Sequence, residues 1–375
     1  MKIWVIGRGY PIPDNKMWGS FELDQAKLLV RNGHDVCYIA LMLGPLAHNY
    51  PRGYRHFEED GVNIFTLSHI YFPAGFGFYC EKIEDRLWEK LLKEVESTSG
   101  LPDIIHIHYP TLLSSIHIIE KYRVRDVKIF VTEHWSNVQL QKLRKHHLSR
   151  LKYYTSHANC FITVGQNLQD SIRQMTNVSV PMEIVPNMVS PVFQPAEKVD
   201  MDHFTFVMTG RMFPFKRFDV VARAFMQAFS GQNQFRLKLI GDGSEKKKLM
   251  QLCNNSSQVE FTGSIKGEMV AEHVSQSDVL LCVSSFETFA VPVIEAWACG
   301  IPVITLDAIP ASRYCNETNG ILLHENDLSQ LGEVMISIYE QYNRYHKGEI
   351  AEFAKNNFGD DAIYKQLIKI YEKNW

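Results

Sequence analysis

The stretch "DVLLCVSSFETFAVPVIEAWACGIPVITLD", Asp278 to Asp307, decides how the rest of the chain is read. "DVLLCVSS" is an apolar run closed by small polar residues, the form of a buried strand. "FETFA" reads as a turn. "VPVIEAWACG" places Pro292 in a helix's first turn and Gly300 just past its end, the two positions where these residues mark helix boundaries. "IPVITLD" is a second strand. Strand, turn, helix and strand make a βαβ unit with parallel strands. Two carboxylates, Glu287 and Glu295, stand in this otherwise apolar unit, and core residues around them argue that they serve a ligand.

The same grammar extends in both directions. "HFTFVMTG" (203–210), "RLKLIGDG" (236–243) and "SQVEFTG" (257–263) are further strands of the second half, each followed by a plausible helix. Before them, "SPVFQPAEKVDMD" (190–202) has two prolines and no periodicity and reads as a linker. The first half repeats the alternation with "KIWVIG", "HDVCYIAL", "DIIHIHYP", "KIFVTEH", "CFITVG" and "MEIVPN" as strands. Its helices include "SFELDQAKLLVRNG", with Phe21, Leu23, Ala26, Leu28 and Leu29 at helical spacing and Gly33 at its end, and "LLSSIHIIEKY". Two α/β domains, each a doubly wound parallel sheet, suit 375 residues. Tandem domains imply a cleft, and ligands of open α/β sheets bind beyond the carboxyl ends of the strands.

Composition narrows the function classes. The chain is 45% hydrophobic and 22% charged, with a formal net charge of -3 and a pI near 6.6, which gives no general attraction to nucleic acid. No apolar run approaches the ~18 residues that would span a bilayer, and "MKIWVIGRGYPIP" reads as a first strand, not as a signal peptide. Seven scattered cysteines without a CxxC pair, most in apolar segments, read as reduced core thiols of a cytosolic protein.

Three loops of the second half offer ligand chemistry. Arg211 and Lys216 follow the strand "FTFVMTG", and cations there suit a phosphate, though solvated surface charges would look the same. Gly241-Asp242-Gly243 is a tight turn whose glycines allow close backbone approach; as often it is only a turn. In the quoted unit, the backbone N–H groups of Thr288 to Val291 open a helix N-terminus, where an anion is favoured. A pyrophosphate flanked by two hydroxyl-bearing sugars would satisfy that N-terminus together with Glu287 and Glu295. The alternative for Glu295 is a charge placed against the helix dipole.

With these residues in view, the chain resembles the retaining glycosyltransferases of family 4, whose GT-B fold sets two Rossmann-like domains facing each other across a cleft. The resemblance runs almost end to end. It is strongest from Glu287 to Glu295, similar to that family's paired-glutamate motif, and in the "AWACGIPVI" that follows. "GR" at 210–211 with Lys216, "IGDGSEKKKL", "VEFTG", "SQSDVLL", "NGILLHEND", "GSFELDQAKLLVRNGHDV", "DIIHIHYP", "VTEHWS" and "IVPNMV" match in order. Departures occur at Gly19-Ser20, where the family has two glycines, at Ala290, where it has a glycine, and at "AIPASRYC", where its acidic turn residue is missing.

The resemblance implies an acceptor-binding domain over 1–189 with a crossover helix at 357–375, amphipathic through Ile363, Leu367 and Ile370, and a donor-binding domain over 190–356. It implies a sugar transferred with retention from a nucleotide-diphosphate sugar, UDP or GDP, to a glycan or lipid-linked acceptor, without metal or other cofactor. Arg211 and Lys216 would hold the diphosphate, Glu295 the ribose and Glu287 the sugar hydroxyls. Gly241, Phe289, Ala290 and Val291 would line the donor, and the backbone at Ile265 would read the base. Gly19 would let the first-domain loop close over the diphosphate, and His108 would face the transferred sugar. Ser20 and His134 are further cleft candidates. Surface polysaccharide or glycolipid assembly is the implied setting.

"QKLRKHHLSRLKYY" (140s to 150s), with five Lys or Arg and no acid, and the aromatic "IYFPAGFGFYC" could rest on an anionic membrane at the inner face of the cell membrane; a solvated basic face is the plain alternative. Other readings stay open. His106, His108 and His134 could be zinc ligands of a hydrolase. Asp200-Met-Asp202 has the form of a metal motif but lies before a strand and reads as solvated. The same fold serves sugar-nucleotide epimerases and phosphorylases, and an inactive copy could be a binding scaffold.

Overall fold

A computed structural model describes residues 1–12, 18–44, 51–70, 77–113, 116–199, 202–254 and 256–373. The chain forms two compact units, Met1–Val185 with Tyr364–Trp375, and Pro186–Ile363. These divisions lie a few residues from the sequence-based boundaries at 189/190 and 356/357, for visible reasons. The Val185 N–H donates to Thr163 O at 3.0 Å and so still belongs to the first sheet, whereas the Val189 N–H donates to Phe358 O at 2.9 Å inside the second unit. Phe358 in turn packs at 4.9 Å from Tyr314 and 6.1 Å from Trp297, which keeps the chain around it with the second unit.

The first unit holds an eight-stranded sheet: β1 (Lys2–Gly7), β2 (Asp35–Gly44), β3 (Gly53–Glu59), β4 (Val62–Ile70), β5 (Ile104–His108), β6 (Lys128–Glu133), β7 (Cys160–Thr163) and β8 (Met182–Ile184), in the order β3-β4-β2-β1-β5-β6-β7-β8. Only β3 and β4 pair antiparallel. The second unit holds six parallel strands, β9 (Phe204–Thr209), β10 (Phe235–Ile240), β11 (Val259–Gly263), β12 (Val279–Cys282), β13 (Val303–Leu306) and β14 (Gly320–Leu323), in the order β11-β10-β9-β12-β13-β14. Ile3 to Ile6 of β1 and all of β5, β12 and β13 are buried, as strands covered by helices on both faces must be.

Both sheets reverse direction of growth at one point, β1 against β5 in the first and β9 against β12 in the second. At such a switch point the neighbouring loops leave in opposite directions and open a crevice at the carboxyl ends. The loops after β9 and β12 are those carrying Arg211, Lys216 and Glu287. The loops after β1 and β5 lead to Gly19 and follow His108. Arg211, Lys216 and Glu287 thus follow the two strands that flank the second sheet's switch point, and Gly19 and His108 follow or end those that flank the first.

Candidate functional site

In the second unit, the chain leaves β9 at Gly210 and reaches Lys216 at the end of a single helical turn, Pro214–Lys216. The Lys216 ammonium donates to Glu287 Oε1 at 2.5 Å, and the side chains are only 16% and 12% exposed. Sheltered charges at this distance attract far more strongly than solvated ones. The loop after β12 is fixed to the same turn, since the Ser285 N–H donates to Phe215 O at 2.8 Å. Arg211 is exposed, with its guanidinium 5.2 Å from the Phe213 ring centroid.

The helix Val291–Ala298 begins after Ala290, which has φ 81° and ψ 64°. An L-residue with a β-carbon disfavours that left-handed conformation, so Ala290 turns the chain at a cost a glycine would not carry. The turn leaves the N–H groups of Thr288, Phe289, Ala290 and Val291 without an acceptor among the described residues. Phe289 itself is buried, 6.1 Å from Phe358, and its carbonyl accepts from Ala311 N–H, so its ring belongs to the core and only its N–H is offered to a ligand. One turn on, Glu295 makes no side-chain hydrogen bond or ion pair among the described residues, and burial pushes its carboxyl up to about 7. An unpartnered carboxylate in such a place is a costly feature for the free protein and a ready acceptor for hydroxyl donors.

Gly241 has φ 134°, and a β-carbon there would lie 1.9 Å from Gly210 O. The loops after β9 and β10 thus touch backbone to backbone, tied by Gly210 N–H to Ile240 O at 3.0 Å and Met212 N–H to Asp242 O at 2.9 Å. Ile265 is half-buried in the loop between β11 and the helix Gly267–Ser275. Arg211, Lys216, Gly241, Ile265, Glu287, the N–H groups of residues 288–291 and Glu295 therefore all lie on this unit, on the carboxyl-end loops and the helix Val291–Ala298.

The first unit carries a separate constellation. His106 is buried between two hydroxyls, Tyr371 Oη at 2.5 Å from Nδ1 and Thr132 Oγ1 at 2.6 Å from Nε2, and burial holds it neutral with a pKa of about 3. Its ring stacks on His108 at 4.4 Å, His108 stacks on His134 at 5.3 Å, and His134 stacks on Tyr109 at 4.9 Å. Arg8 lies 4.5 Å from the Tyr109 centroid, which ends the column. His108 Nδ1 shares a hydrogen bond of 3.0 Å with His134 Nε2. Burial and the two neighbouring imidazoles hold His108 well below the usual histidine range, and its Nε2 is buried without a partner. The three histidines are thus together, but stacked and bonded to one another, and no group of three metal-ligating side chains is disposed around an ion among the described residues.

Gly19 has φ 75°, and a β-carbon would lie 2.1 Å from Gly9 O and 2.7 Å from the Tyr38 hydroxyl. That hydroxyl donates to Gly9 O at 2.6 Å. The glycine is thus required by packing inside this unit, whatever else it does. Ser20 opens the helix Ser20–Arg31 and is half-buried. Two buried acids of this unit escaped the sequence reading. Glu22, 1% exposed, takes the Arg8 N–H at 3.3 Å, and burial raises its pKa. Glu133, fully buried, takes the N–H groups of His134 and Trp135 at 2.9 Å each and so fixes the loop bearing His134; its pKa too is raised by burial. The only signal was an acid inside an apolar run, as in "FVTEH".

Of the basic segment, Lys142, Arg144, Lys145 and Lys152 are exposed, while Arg150 pairs with Glu84 at 3.4 Å. No helix among the described residues is long and apolar enough to cross a membrane. Residues 71–76 of the aromatic segment and residues 200–201 lie outside the described residues, and residues 77–80 of that segment open the helix Gly77–Ser99.

Residues 22–193 match the family model of Glycosyltransferase Family 4, and residues 203–341 that of Glycosyl transferases group 1. Among curated proteins, the N-acetyl-alpha-D-glucosaminyl L-malate synthase of Bacillus anthracis is 24% identical, over 92% of this chain and 91% of its own. An exopolysaccharide phosphotransferase of Streptomyces coelicolor is 28% identical over 50% of this chain, a match that spans a fifth (20%) of that relative's length. Among solved structures, sucrose-phosphate synthase from Thermosynechococcus elongatus superposes with a TM-score of 0.76 at 19% identity, covering 99% of this chain and 98% of the other. An Anabaena protein solved in complex with UDP and glucose gives 0.71 at 15% identity over 100% of both chains. The two family models meet near the linker and between them take in both units, so the chain belongs to glycosyltransferase family 4, the glycosyl transferases group 1, and is a glycosyltransferase of the GT-B fold.

Proposed function

We propose that the protein transfers a sugar from a UDP- or GDP-sugar to a glycan or lipid-linked acceptor with retention of anomeric configuration, in the assembly of a surface polysaccharide or glycolipid. The observation that carries the donor assignment is the triple at the second unit's crevice: the Lys216–Glu287 pair, the unsatisfied N–H groups of residues 288–291, and unpartnered Glu295. The diphosphate takes Lys216, Arg211 and the N–H groups, Glu295 accepts from the ribose diol, and Glu287 accepts from sugar hydroxyls. The backbone at Ile265 meets the base. Neutral His108, with its Nε2 unsatisfied, hydrogen-bonds the transferred sugar or the incoming acceptor. The solved neighbour in complex with UDP and glucose supports a nucleotide-sugar donor.

In the reaction the bond from the anomeric carbon to the diphosphate oxygen breaks, and the acceptor hydroxyl adds from the same face. The acceptor's proton passes to the departing phosphate oxygen. Charge accumulates on that phosphate, where preorganised cations and N–H donors lower the barrier. The diphosphate charge is met by side chains and backbone, so this reading calls for no metal. Exposed Lys142, Arg144, Lys145 and Lys152 would hold the enzyme peripherally on an anionic membrane, on its cytoplasmic face; vesicle co-sedimentation with and without anionic lipid tests this. The anomeric configuration of the product, read by NMR against the donor, tests the mechanism: an α-donor should give an α-product, and an inverted linkage would overturn it.

A further inference from the structure

Arg217 directly follows Lys216 and is one of few non-glycine residues with a left-handed backbone, at φ 59° and ψ 36°. The conformation is needed: Arg217 N–H closes the turn on Pro214 O at 3.1 Å, and its own carbonyl accepts from Val220 N–H at 3.1 Å to start the helix Phe218–Phe229. A β-carbon disfavours that conformation, so contacts that restrain the side chain help to hold it. Its guanidinium supplies the aid. Nη1 donates to Glu325 Oε2 at 2.9 Å and Nη2 donates to the other carboxylate oxygen, a two-pronged contact across to the loop after β14. Such planar forks fix direction as well as distance. The pairing holds the Glu325 carboxyl below its usual range and raises Arg217. Neither residue belongs to the donor contacts described above.

We propose that Glu325 is a positioning residue for Lys216: by gripping Arg217 it holds the left-handed reversal that aims the preceding ammonium into the diphosphate site. The inference rests on the donor-site reading. It explains why a residue so poorly suited to the backbone stands beside the principal cation, and it places part of the donor affinity on a loop outside the donor contacts assigned above.

The test is calorimetric binding of UDP and GDP to four proteins: wild type, Glu325→Gln, Arg217→Gly and the double variant. Glu325→Gln removes the charged fork and should weaken nucleotide binding about fivefold, the size of a well-formed partly exposed ion pair. Glycine adopts the left-handed conformation freely, so Arg217→Gly alone and the double variant should both bind within about twofold of wild type. Equal binding by wild type and Glu325→Gln would overturn the proposal. So would a loss in Glu325→Gln that Arg217→Gly fails to restore, since Glu325 would then act by its charge and not through the reversal. A wild type that binds neither nucleotide would reject the donor-site reading itself, a result distinct from either of these.

Discussion

Replacing Glu295 by Gln removes an unpartnered carboxyl of the donor site and should change stability and binding in opposite directions. Burial raises the Glu295 carboxyl from 4.5 to about 7. An acid whose folded pKa is raised binds its proton more tightly folded than unfolded. Its contribution to stability is therefore fully present below pH 4.5, falls as pH rises between 4.5 and 7, and is constant above. A difference of one between the folded and unfolded pKa corresponds to ~1.4 kcal/mol, so ionised Glu295 costs the free protein up to about 3 kcal/mol at pH 8. Glutamine keeps the shape and carries no charge. In urea unfolding at a series of pH values, Glu295→Gln should match wild type near pH 4.5 and gain stability over it up to pH 7. Nucleotide binding should move the other way. The ribose diol donates to the carboxylate, and hydrogen bonds to a charged acceptor are worth ~1.5–3 kcal/mol, so the variant should bind UDP or GDP about tenfold more weakly or worse. Binding by wild type near pH 7 should also release part of a proton from Glu295, seen by calorimetry in buffers of different ionisation enthalpy, and the variant should release correspondingly less. A stability difference that is flat across this pH range, or unaltered nucleotide affinity, would refute the reasoning.

Lys216→Ala leaves Glu287 sheltered without its cation, which should cost about 1–3 kcal/mol of stability and at least about tenfold in nucleotide affinity; thermal unfolding and calorimetry read the two effects. Gly19→Ala puts a β-carbon 2.1 Å from Gly9 O in a left-handed conformation and should destabilise the first unit by about 2 kcal/mol or more, measured by urea unfolding. Tyr371→Phe removes one of the two hydroxyls flanking His106 and should cost about 1 kcal/mol. If the column orients His108, the same change should lower turnover while nucleotide affinity stays put, which steady-state kinetics and calorimetry distinguish.

The parallel strands were legible because each is a continuous apolar run, and the donor loops because their polar residues interrupt such runs at strand ends. The hairpin of β3 and β4 was not read, although Asp60-Gly61, at φ 50° and 78°, is a strong two-residue turn signal. Its strand Gly53–Glu59 is mostly exposed and polar, so the apolar pattern that served elsewhere was absent. β14 is four residues long and was seen only as part of a motif. Lys216 and Glu287 could each be picked out, but their pairing depends on two loops meeting at the switch between β9 and β12, which is a property of strand order. The left-handed Ala290 and Arg217 were hidden for a related reason: residue type points to such a backbone chiefly when it is glycine, asparagine or aspartate, and here tertiary contacts override the preference. Glu22 and Glu133 look like ordinary acids until burial is known.

We propose that the second unit binds and activates a nucleotide-sugar donor through Lys216 and Glu287. It is tested most directly by incubating UDP-, GDP-, ADP- and TDP-sugars with wild type, Lys216→Ala and Glu287→Ala, and following release of the nucleoside diphosphate while binding is measured in parallel by calorimetry. Wild type should release the diphosphate from one donor, and both variants should lose that release. Release that survives both substitutions, or a wild type that binds none of the four, would contradict it.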